Sequence, residues 1–132
     1  MLLDTNAFIW FLRGDARLRK PLREAIADAN IEIKMSVASF WELTIKHRRG
    51  KLPLPHPFSI DPAAAVEQWC ARAAIDLVPI QARHVGQAMN LAFAHDDPFD
   101  RLIAATAIAE NLELVTSDRR FAACPGLRVI AL

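Results

Sequence analysis

Short apolar runs alternate with helix-like segments along almost the whole of this chain. Residues 1–4, 31–35, 75–80, 112–116 and 127–132 are typical of buried strands. The segments between them have helical spacing and lengths of about 10–15 residues, which favour right-handed crossovers between parallel strands. The alternation therefore predicts a three-layer α/β/α sandwich around a mostly parallel sheet.

The helices of this sandwich can be placed from spacing and terminal residues. Helices are predicted over 5–12, 21–30, 37–49, 63–74, 82–94 and 98–111, with a short one at 118–121. Ser36 is a suitable N-cap for the third helix, and Gly50 is suited to end it. Residues 51–62 hold four of the eight prolines, so we predict a loop there. One domain is expected over 1–132.

Composition limits the functional classes without choosing among them. A net charge of +1 neither requires nor excludes a nucleic-acid partner. Asp4 interrupts the first apolar run, and no later run approaches the 18 or so residues of a membrane span, so we expect a cytoplasmic protein with no membrane association. Cys70 and Cys124 are far apart in sequence and are predicted to be free thiols in a reducing compartment.

Acidic residues stand where predicted strands give way to helices. Asp4 ends the first strand, Glu42 lies in the helix after the second, and Asp118 follows the fourth. Asp100 lies in the first turn of the sixth predicted helix, and Asp97 precedes it by one turn. Because the carboxyl ends of parallel strands share one edge of a sheet, we expect these side chains to meet there.

Each of these acids also has a local explanation. Asp4, Asp97 and Asp118 are placed to cap the helices that follow them. Glu42 taken alone is typical of a charge on the solvated face of a helix, and Asp100 is the acid that capping explains least. The functional prediction therefore depends on their joint position at one sheet edge.

A shared site for several carboxylates has an electrostatic consequence. Two unit charges about 4 Å apart repel by roughly 4 kcal/mol at an effective dielectric near 20. A divalent cation relieves this repulsion, and ligands that are all oxygen favour Mg²⁺ or Mn²⁺ over zinc. The acids thus indicate metal-dependent chemistry on a phosphate-bearing substrate.

Four groups of residues, in order along the chain, match those of a known family. They lie at 2–6 (Leu-Leu-Asp-Thr-Asn), 36–42 with Lys46, 95–105 (beginning His-Asp-Asp-Pro-Phe-Asp-Arg) and 114–118 (Leu-Val-Thr-Ser-Asp). On these residues the chain resembles the PIN-domain ribonucleases, and within them the VapC-type toxins of bacterial and archaeal toxin–antitoxin pairs. The resemblance runs over residues 1–132 and implies a PIN-like fold.

The resemblance also implies a function and a set of site residues. The implied catalytic and metal-binding acids are Asp4, Glu42, Asp100 and Asp118, with Asp97 as a cap, a supporting group or a further ligand. The implied activity is that of a Mg²⁺-dependent endoribonuclease, the toxic component of a type II toxin–antitoxin system, leaving 5′-phosphate and 3′-hydroxyl ends. The implied partners are an RNA substrate, a cognate antitoxin protein and a second copy of the chain in a homodimer.

Hydrolysis of a phosphodiester needs an activated water and neutralisation of developing charge, and carboxylate-held Mg²⁺ supplies both. We predict that Asp4 and Asp100 hold the main ion, while Asp118 and Glu42 complete a second site or orient water. Two polar side chains next to these acids, Asn6 and Ser117, are predicted either to orient ligands or to satisfy the backbone at a turn.

The densest basic cluster covers residues 46–51, at the end of the third predicted helix. Lys46, Arg48 and Arg49 are predicted to follow a phosphate backbone. The alternative is that these cations are favoured there by the helix dipole alone.

Other basic residues give weaker predictions. Arg101 is predicted to steady a substrate phosphate or to pair with a carboxylate. A second basic stretch over residues 13–23 follows Asp4. The four histidines show no zinc-type spacing; they are His47, His56, His84 and His95.

Two rival functions stay open at this point. A haloacid-dehalogenase-type phosphatase would use Asp4 as its nucleophile, but that family wants a second Asp where this chain has Asn6, and it gives Glu42 no task. The other rival is a catalytically inactive module of the same fold that binds RNA or protein.

Overall fold

The computed structural model describes residues 1–132 and confirms the alternation of strands and helices. The five strands are β1 (Leu2–Leu3), β2 (Ile33–Ser36), β3 (Ile75–Val78), β4 (Glu113–Thr116) and β5 (Arg128–Ala131). The six α-helices are α1 (Thr5–Arg13), α2 (Lys20–Ala27), α3 (Val37–Arg48), α4 (Pro62–Arg72), α5 (Ala82–Asn90) and α6 (Pro98–Ala109). A 3₁₀ helix over Arg119–Ala123 follows β4.

All five strands form one sheet in the order β3-β2-β1-β4-β5, and every neighbouring pair is parallel. The prediction of a mostly parallel sheet is confirmed, and the sheet is in fact entirely parallel. The first strand in sequence is central, and the order of strands changes direction between β1 and β4. Open α/β sheets place their ligands beside such a switch point, outside the carboxyl ends of the strands.

Helices cover both faces of this sheet. Successive side chains of a strand point to opposite faces. Leu3 and Val115 pack in one core with residues of α1, α3 and α4. Leu2 and Leu114 pack in a second core with residues of α6. The predicted α/β/α sandwich is therefore confirmed.

The register of β1 decides what surrounds the first acid. Leu3 pairs with Val115 of the parallel strand β4. The next residues along the two strands, Asp4 and Thr116, therefore lie side by side at the carboxyl edge of the sheet.

Element ends agree with the prediction to within a few residues, except after α5. The helix predicted over 82–94 ends instead at Asn90, and residues 91–97 form neither helix nor strand. Leu91 has an extended backbone with φ −63° and ψ 121°. The Arg101 guanidinium binds backbone carbonyl oxygens of this region, so tertiary hydrogen bonds replace the helical ones.

The proline-rich loop is irregular, as predicted, but it is packed closely. Phe58 is fully buried, and its ring stacks on Trp69 with 5.7 Å between centroids. The backbone N–H of Leu54 donates to His47 Nδ1 at 3.2 Å. These contacts hold the loop against α3 and α4.

Cys70 and Cys124 are both free and both buried. Burial raises the pKa of the Cys70 thiol to about 11, so it is protonated and unreactive at neutral pH. None of the helices has the length and apolar character that a membrane crossing requires.

Candidate active site

Asp4 is held at the end of β1 by two short hydrogen bonds. Its Oδ1 accepts from the backbone N–H of Ala7 at 2.6 Å, which makes Asp4 the N-cap of α1. Its Oδ2 accepts from the Thr116 hydroxyl at 2.5 Å. The residue is 6% exposed, and this burial raises the pKa of Asp4 although both bonds act to lower it.

Thr116 connects the first acid to the last. Its hydroxyl donates to Asp4, and the same oxygen accepts from the backbone N–H of Asp118 at 3.0 Å. Asp118 in turn caps the 3₁₀ helix by accepting from the backbone N–H of Arg120 at 2.9 Å. The predicted capping role of Asp118 is confirmed, and its second carboxylate oxygen faces the other acids.

Glu42 reaches the site from the middle of α3 and not from a strand end. Its side chain is 12% exposed, so it is not a solvated surface charge. The Thr5 hydroxyl donates to Glu42 Oε2, and Lys46 Nζ lies 2.5 Å from Oε1. The Thr5 bond joins the start of α1 to α3 and fixes the direction in which the carboxylate points.

Asp97 and Asp100 occupy the first turn of α6. The Asp97 Oδ1 accepts from the backbone N–H groups of Phe99 at 2.9 Å and Asp100 at 3.4 Å, which confirms Asp97 as the N-cap. Asp97 is exposed, whereas Asp100 is half-buried. A role for Asp97 as a metal ligand stays a prediction.

His95 lies between two of the acids. Its Nε2 is 3.0 Å from Asp100 Oδ2 and 3.4 Å from Asp118 Oδ2, and the contact with Asp118 has hydrogen-bond geometry. The imidazole is fully buried. These three residues each offer one ligand atom, and the three atoms lie within 4.8 Å of one another.

Asp100 and Asp118 have opposite electrostatic environments. Burial, followed by the charge of Asp97, raises the pKa of Asp100 to about 6. Arg120 holds the pKa of Asp118 well below its usual range, because its Nη2 is 2.5 Å from Asp118 Oδ2. The same guanidinium is 4.0 Å from Asp100 Oδ2. The site is therefore rich in negative charge, and its cations are Arg120, beside Asp118, and Lys46, beside Glu42.

The predicted acids meet at one edge but are not equally close. Asp100 and Asp118 form the tightest pair with His95, and Asp4 lies outside that group. Glu42 connects the two parts, because its charge raises the pKa of both Asp4 and Asp100. A group of carboxylate oxygens with excess negative charge is a donor set that fits a hard divalent cation.

The structure gives Arg101 a different role from the predicted one. Its Nη1 donates to the carbonyl oxygen of Phe93 at 2.6 Å, and its Nη2 donates to those of Ala88 at 2.8 Å and Leu91 at 3.0 Å. Arg101 makes no ion pair with a carboxylate and instead fixes the segment before α6. The cation beside Asp100 and Asp118 is Arg120, which the sequence analysis did not single out.

The basic cluster at the end of α3 borders the acids on one side. A cleft of about 150 Å³ is lined by Glu42, Ile45, Lys46, Arg49, Lys51, Asp97 and Phe99. Arg48 is exposed and does not line this cleft. Of the three predicted substrate contacts in this cluster, Lys46 and Arg49 therefore have the better position.

A second cleft, of about 390 Å³, borders Asp118. Its polar lining consists of Arg19, Thr116, Ser117, Asp118 and Arg119. In the basic stretch over residues 13–23, four side chains already bind acids or backbone carbonyl oxygens: Arg13, Arg17, Lys20 and Arg23. Arg19 is the cation of that stretch that faces the cleft.

Three polar residues of the site escaped the sequence analysis: Thr5, His95 and Thr116. Asn6 and Ser117 were predicted to orient ligands, but the hydrogen bonds to the acids come from their neighbours Thr5 and Thr116. For Thr116 the signal that could have found it is strand register: because Leu3 pairs with Val115, the next residue of β4 must lie beside Asp4. His95 belongs to the same motif as Asp100, which placed it near the site without showing its contacts.

Comparisons with known proteins agree with this fold. A family model described as PIN domain matches residues 1–127. The chain is 31% identical over 123 residues to a protein named Ribonuclease VapC22 from Mycobacterium tuberculosis, covering 91% of this chain and 88% of that one.

Solved structures of similar fold include VapBC2 from Rickettsia felis bound to a promoter DNA fragment, with a TM-score of 0.70, and DNA-bound VapBC from Salmonella typhimurium, with a TM-score of 0.67. Both are 19% identical to this chain, and each match covers 98% of it and 96% of the other chain, so they support the fold alone. The match along residues 1–127 and the relative at 31% identity together show that this chain belongs to the PIN-domain family and to its VapC group.

Proposed function

We propose that this protein is a metal-dependent endoribonuclease that acts as the toxin of a type II toxin–antitoxin pair. The observation that carries the proposal is the meeting of Asp100, Asp118 and Glu42 beside Asp4 at the carboxyl edge of a PIN-domain sheet. A relative that shares 31% of its residues over 91% of the chain is named a ribonuclease.

The donor set supports Mg²⁺, with Mn²⁺ as an alternative, as the implied metal. Asp100 and Asp118 present neighbouring carboxylate oxygens, and Glu42 adds a third acid from α3. When bound, such an ion supplies charge neutralisation and lowers the pKa of an attacking water. Burial, and then the charge of Asp97, raises the pKa of Asp100, so this carboxylate is one whose negative charge a bound cation would stabilise.

The two halves of the site have different tasks in this proposal. Asp100 and Asp118 would be the primary ligands, and Asp4 would contact the ion or its water through lone pairs that its two hydrogen bonds leave free. The sequence analysis predicted instead that Asp4 and Asp100 hold the main ion. Glu42 would orient water.

RNA is proposed to cross the site between the two clefts. Arg49 and Lys51 line one cleft, and Arg19 and Arg119 line the other, so cations stand on both sides of the acids. Neutralising backbone phosphates makes binding dependent on salt. Arg49→Ala and Arg119→Ala should each make the dependence of RNA affinity on salt shallower, and Arg48→Ala should change it less. An equal effect of all three would contradict this path.

The phosphatase rival is not supported, because the chain belongs to the PIN-domain family. The two carboxylate oxygens of Asp4 also accept hydrogen bonds from Ala7 and Thr116, which fit a positioned acid better than a nucleophile. An inactive module of the same fold is the alternative that an activity measurement must exclude.

The decisive experiment is incubation of the purified protein with total cellular RNA, with and without Mg²⁺, followed by mapping of new 5′ ends. We expect Mg²⁺-dependent cleavage that leaves 5′-phosphates and that Asp100→Asn abolishes. Asp96→Asn is the matched control, because Asp96 is an exposed acid in the same segment. Absence of cleavage by wild type, or equal cleavage by Asp100→Asn, would contradict the proposal.

We also propose the two protein partners that the family implies, a small antitoxin and a second copy of the chain. An apolar groove of about 550 Å³ supports such contacts; its lining includes Val37, Phe40, Trp41, Pro62, Ala63 and Ile80. Trp41 is 56% exposed, which is unusual for so large an apolar side chain. Light scattering of the purified protein tests the homodimer, and a monomer at all concentrations would contradict it.

A further inference from the structure

We propose that His95 is a positioning residue, whose Nε2–H holds the carboxylates of Asp118 and Asp100 towards one point, and that His95 is not itself a metal ligand. The proposal rests on the proposed function, because it assigns a task within the same site. It also explains why a buried imidazole lies among the carboxylates, which metal binding by the carboxylates alone does not require.

The backbone fixes which nitrogen of His95 carries a proton. The N–H of Asp97 donates to His95 Nδ1 at 3.3 Å. A backbone N–H can only donate, so Nδ1 accepts and carries no proton. In the neutral ring the proton is then on Nε2, which is the nitrogen that faces the acids. Nε2 would have to lose this proton to bind a metal, and Nδ1 would then face the Asp97 N–H with a proton of its own.

Packing leaves the ring no freedom to turn away from this arrangement. His95 is 2% exposed, and its ring packs against those of Phe93 and Phe121, with centroid distances of 5.2 and 5.8 Å. Arg101 binds the carbonyl oxygen of Phe93 and so fixes the backbone that carries the ring. The imidazole is thus a rigid donor built into the site.

The two acids share this donor. Nε2 is in hydrogen-bond geometry with Asp118 Oδ2 at 3.4 Å and is 3.0 Å from Asp100 Oδ2, so the N–H lies close to both negative oxygens. It reduces their mutual repulsion and keeps the remaining oxygens directed at the space between them. Loss of an outer hydrogen bond to a metal-binding carboxylate typically costs about 10- to 100-fold in metal affinity or activity.

Two substitutions separate the two nitrogens of the ring. His95→Gln places an amide N–H near the position of Nε2, so it retains a donor to the acids. His95→Asn retains an acceptor near Nδ1 for the Asp97 N–H but is too short to reach the carboxylates. Binding of Mn²⁺, followed by electron paramagnetic resonance, reports the effect without RNA.

We expect His95→Asn to weaken Mn²⁺ binding by at least about 10-fold and His95→Gln to recover most of that loss. His56→Gln, which removes an exposed imidazole, is the control. Thermal unfolding in EDTA checks that each variant is folded. Unchanged Mn²⁺ affinity in folded His95→Asn, or a loss in His95→Gln as large as that in His95→Asn, would overturn the proposal.

The tautomer gives a second readout that a merely structural role would not predict. In protein with ¹⁵N-labelled histidine, long-range ¹H–¹⁵N spectra should show His95 protonated at Nε2 both without metal and with Mg²⁺. The His95→Gln spectrum identifies the signal. A ring protonated at Nδ1, or an Nε2 that loses its proton when the metal binds, would overturn the proposal and make His95 a ligand.

The role of His95 and the proposed function can be refuted independently. If wild type binds Mn²⁺ through Asp100 and shows the Nε2–H tautomer but cleaves no RNA, the ribonuclease proposal fails and the role of His95 stands. If wild type cleaves RNA and His95→Asn binds Mn²⁺ and cleaves equally well, the role of His95 fails alone.

Discussion

The two halves of the acidic site are held in different ways. Asp4 is buried and fixed by neutral donors, the Ala7 N–H and the Thr116 hydroxyl. Asp100 and Asp118 are about one-quarter exposed and are surrounded by a histidine, an arginine and each other. Asp4 is therefore part of the hydrogen-bonded framework of the sheet, whereas Asp100 and Asp118 have charged or titratable side chains as their partners.

This difference shows how a fold supports an acidic site. The buried acid contributes to stability because its oxygens accept hydrogen bonds from the Ala7 N–H and the Thr116 hydroxyl. Asp100 opposes stability, because its charge is partly desolvated and lies near that of Asp97, whereas Arg120 stabilises the charge of Asp118. A cation bound beside Asp100 would relieve that cost.

The largest effect should come from removing the buried acid. Asp4→Ala removes the N-cap of α1 and leaves the Thr116 hydroxyl without its acceptor, so we expect a loss of roughly 2–4 kcal/mol in the free energy of unfolding. Asp4→Asn keeps an acceptor and should lose much less, and Asp100→Ala should lose little or nothing. Urea unfolding in EDTA measures all three. Equal destabilisation by Asp4→Ala and Asp100→Ala would break the comparison.

The next effect is a stabilising one at the other half. Asp100 has a pKa of about 6 in the folded protein against an ordinary 3.8, so folding favours its protonated form. The resulting stabilisation is complete below about pH 4 and is lost as the pH rises through about 6. Asp100→Asn, which is neutral at every pH, should therefore be more stable than wild type at pH 7.5 by about 1–2 kcal/mol.

That advantage of Asp100→Asn should fall by more than half near pH 4.5, where Asp100 is protonated in folded wild type but still largely ionised in the unfolded chain. Thermal unfolding in EDTA at the two pH values measures the difference between the two proteins, so other titrating groups cancel. Asp97→Asn serves as a control for the loss of one negative charge nearby. A stability difference that does not change with pH would show that the charge of Asp100 is not the cause.

The smallest predicted effect concerns the cation that faces the acids. The Arg120 side chain is 62% exposed, and exposed ion pairs are worth about 0.2–1 kcal/mol. A metal held by Asp118 would have to compete with Arg120, so Arg120→Ala should tighten Mn²⁺ binding by up to about 5-fold. Arg119→Ala removes a neighbouring exposed cation that makes no ion pair, and it should leave Mn²⁺ affinity unchanged. Weaker Mn²⁺ binding in Arg120→Ala would make Arg120 a supporting residue and not a competitor.

Most of the fold could be predicted because the determining signals are local. Apolar runs of strand length alternate with helices, and Ser36 and Asp97 are caps that the sequence identifies and the structure confirms. The helix predicted over 82–94 was too long because a distant side chain, Arg101, binds the carbonyl oxygens that would have continued it. Local spacing contains no information about such a tertiary contact.

The site was predictable in its acids but not in their partners. Strand order and register decide that Thr116 faces Asp4, and neither can be read from one strand alone. His95 contacts Asp118 across 23 residues of chain, and its ordinary spacing to the other histidines gave no sign of this. Arg101 follows Asp100 in sequence and Arg120 lies two residues after Asp118, so their sequence positions look alike. Only the directions of the side chains show that Arg101 binds backbone carbonyl oxygens whereas Arg120 contacts the acids.

The bond between Asp4 and Thr116 joins residues 112 positions apart. A nascent chain that leaves the ribosome therefore displays its first acid long before the strand that completes the pocket has been made. Contacts of such long range form late, when most of the domain can fold as a unit. Asp4 therefore gains its Thr116 partner only after β4 has been synthesised, which makes this edge of the sheet one of the last parts of the fold to be completed.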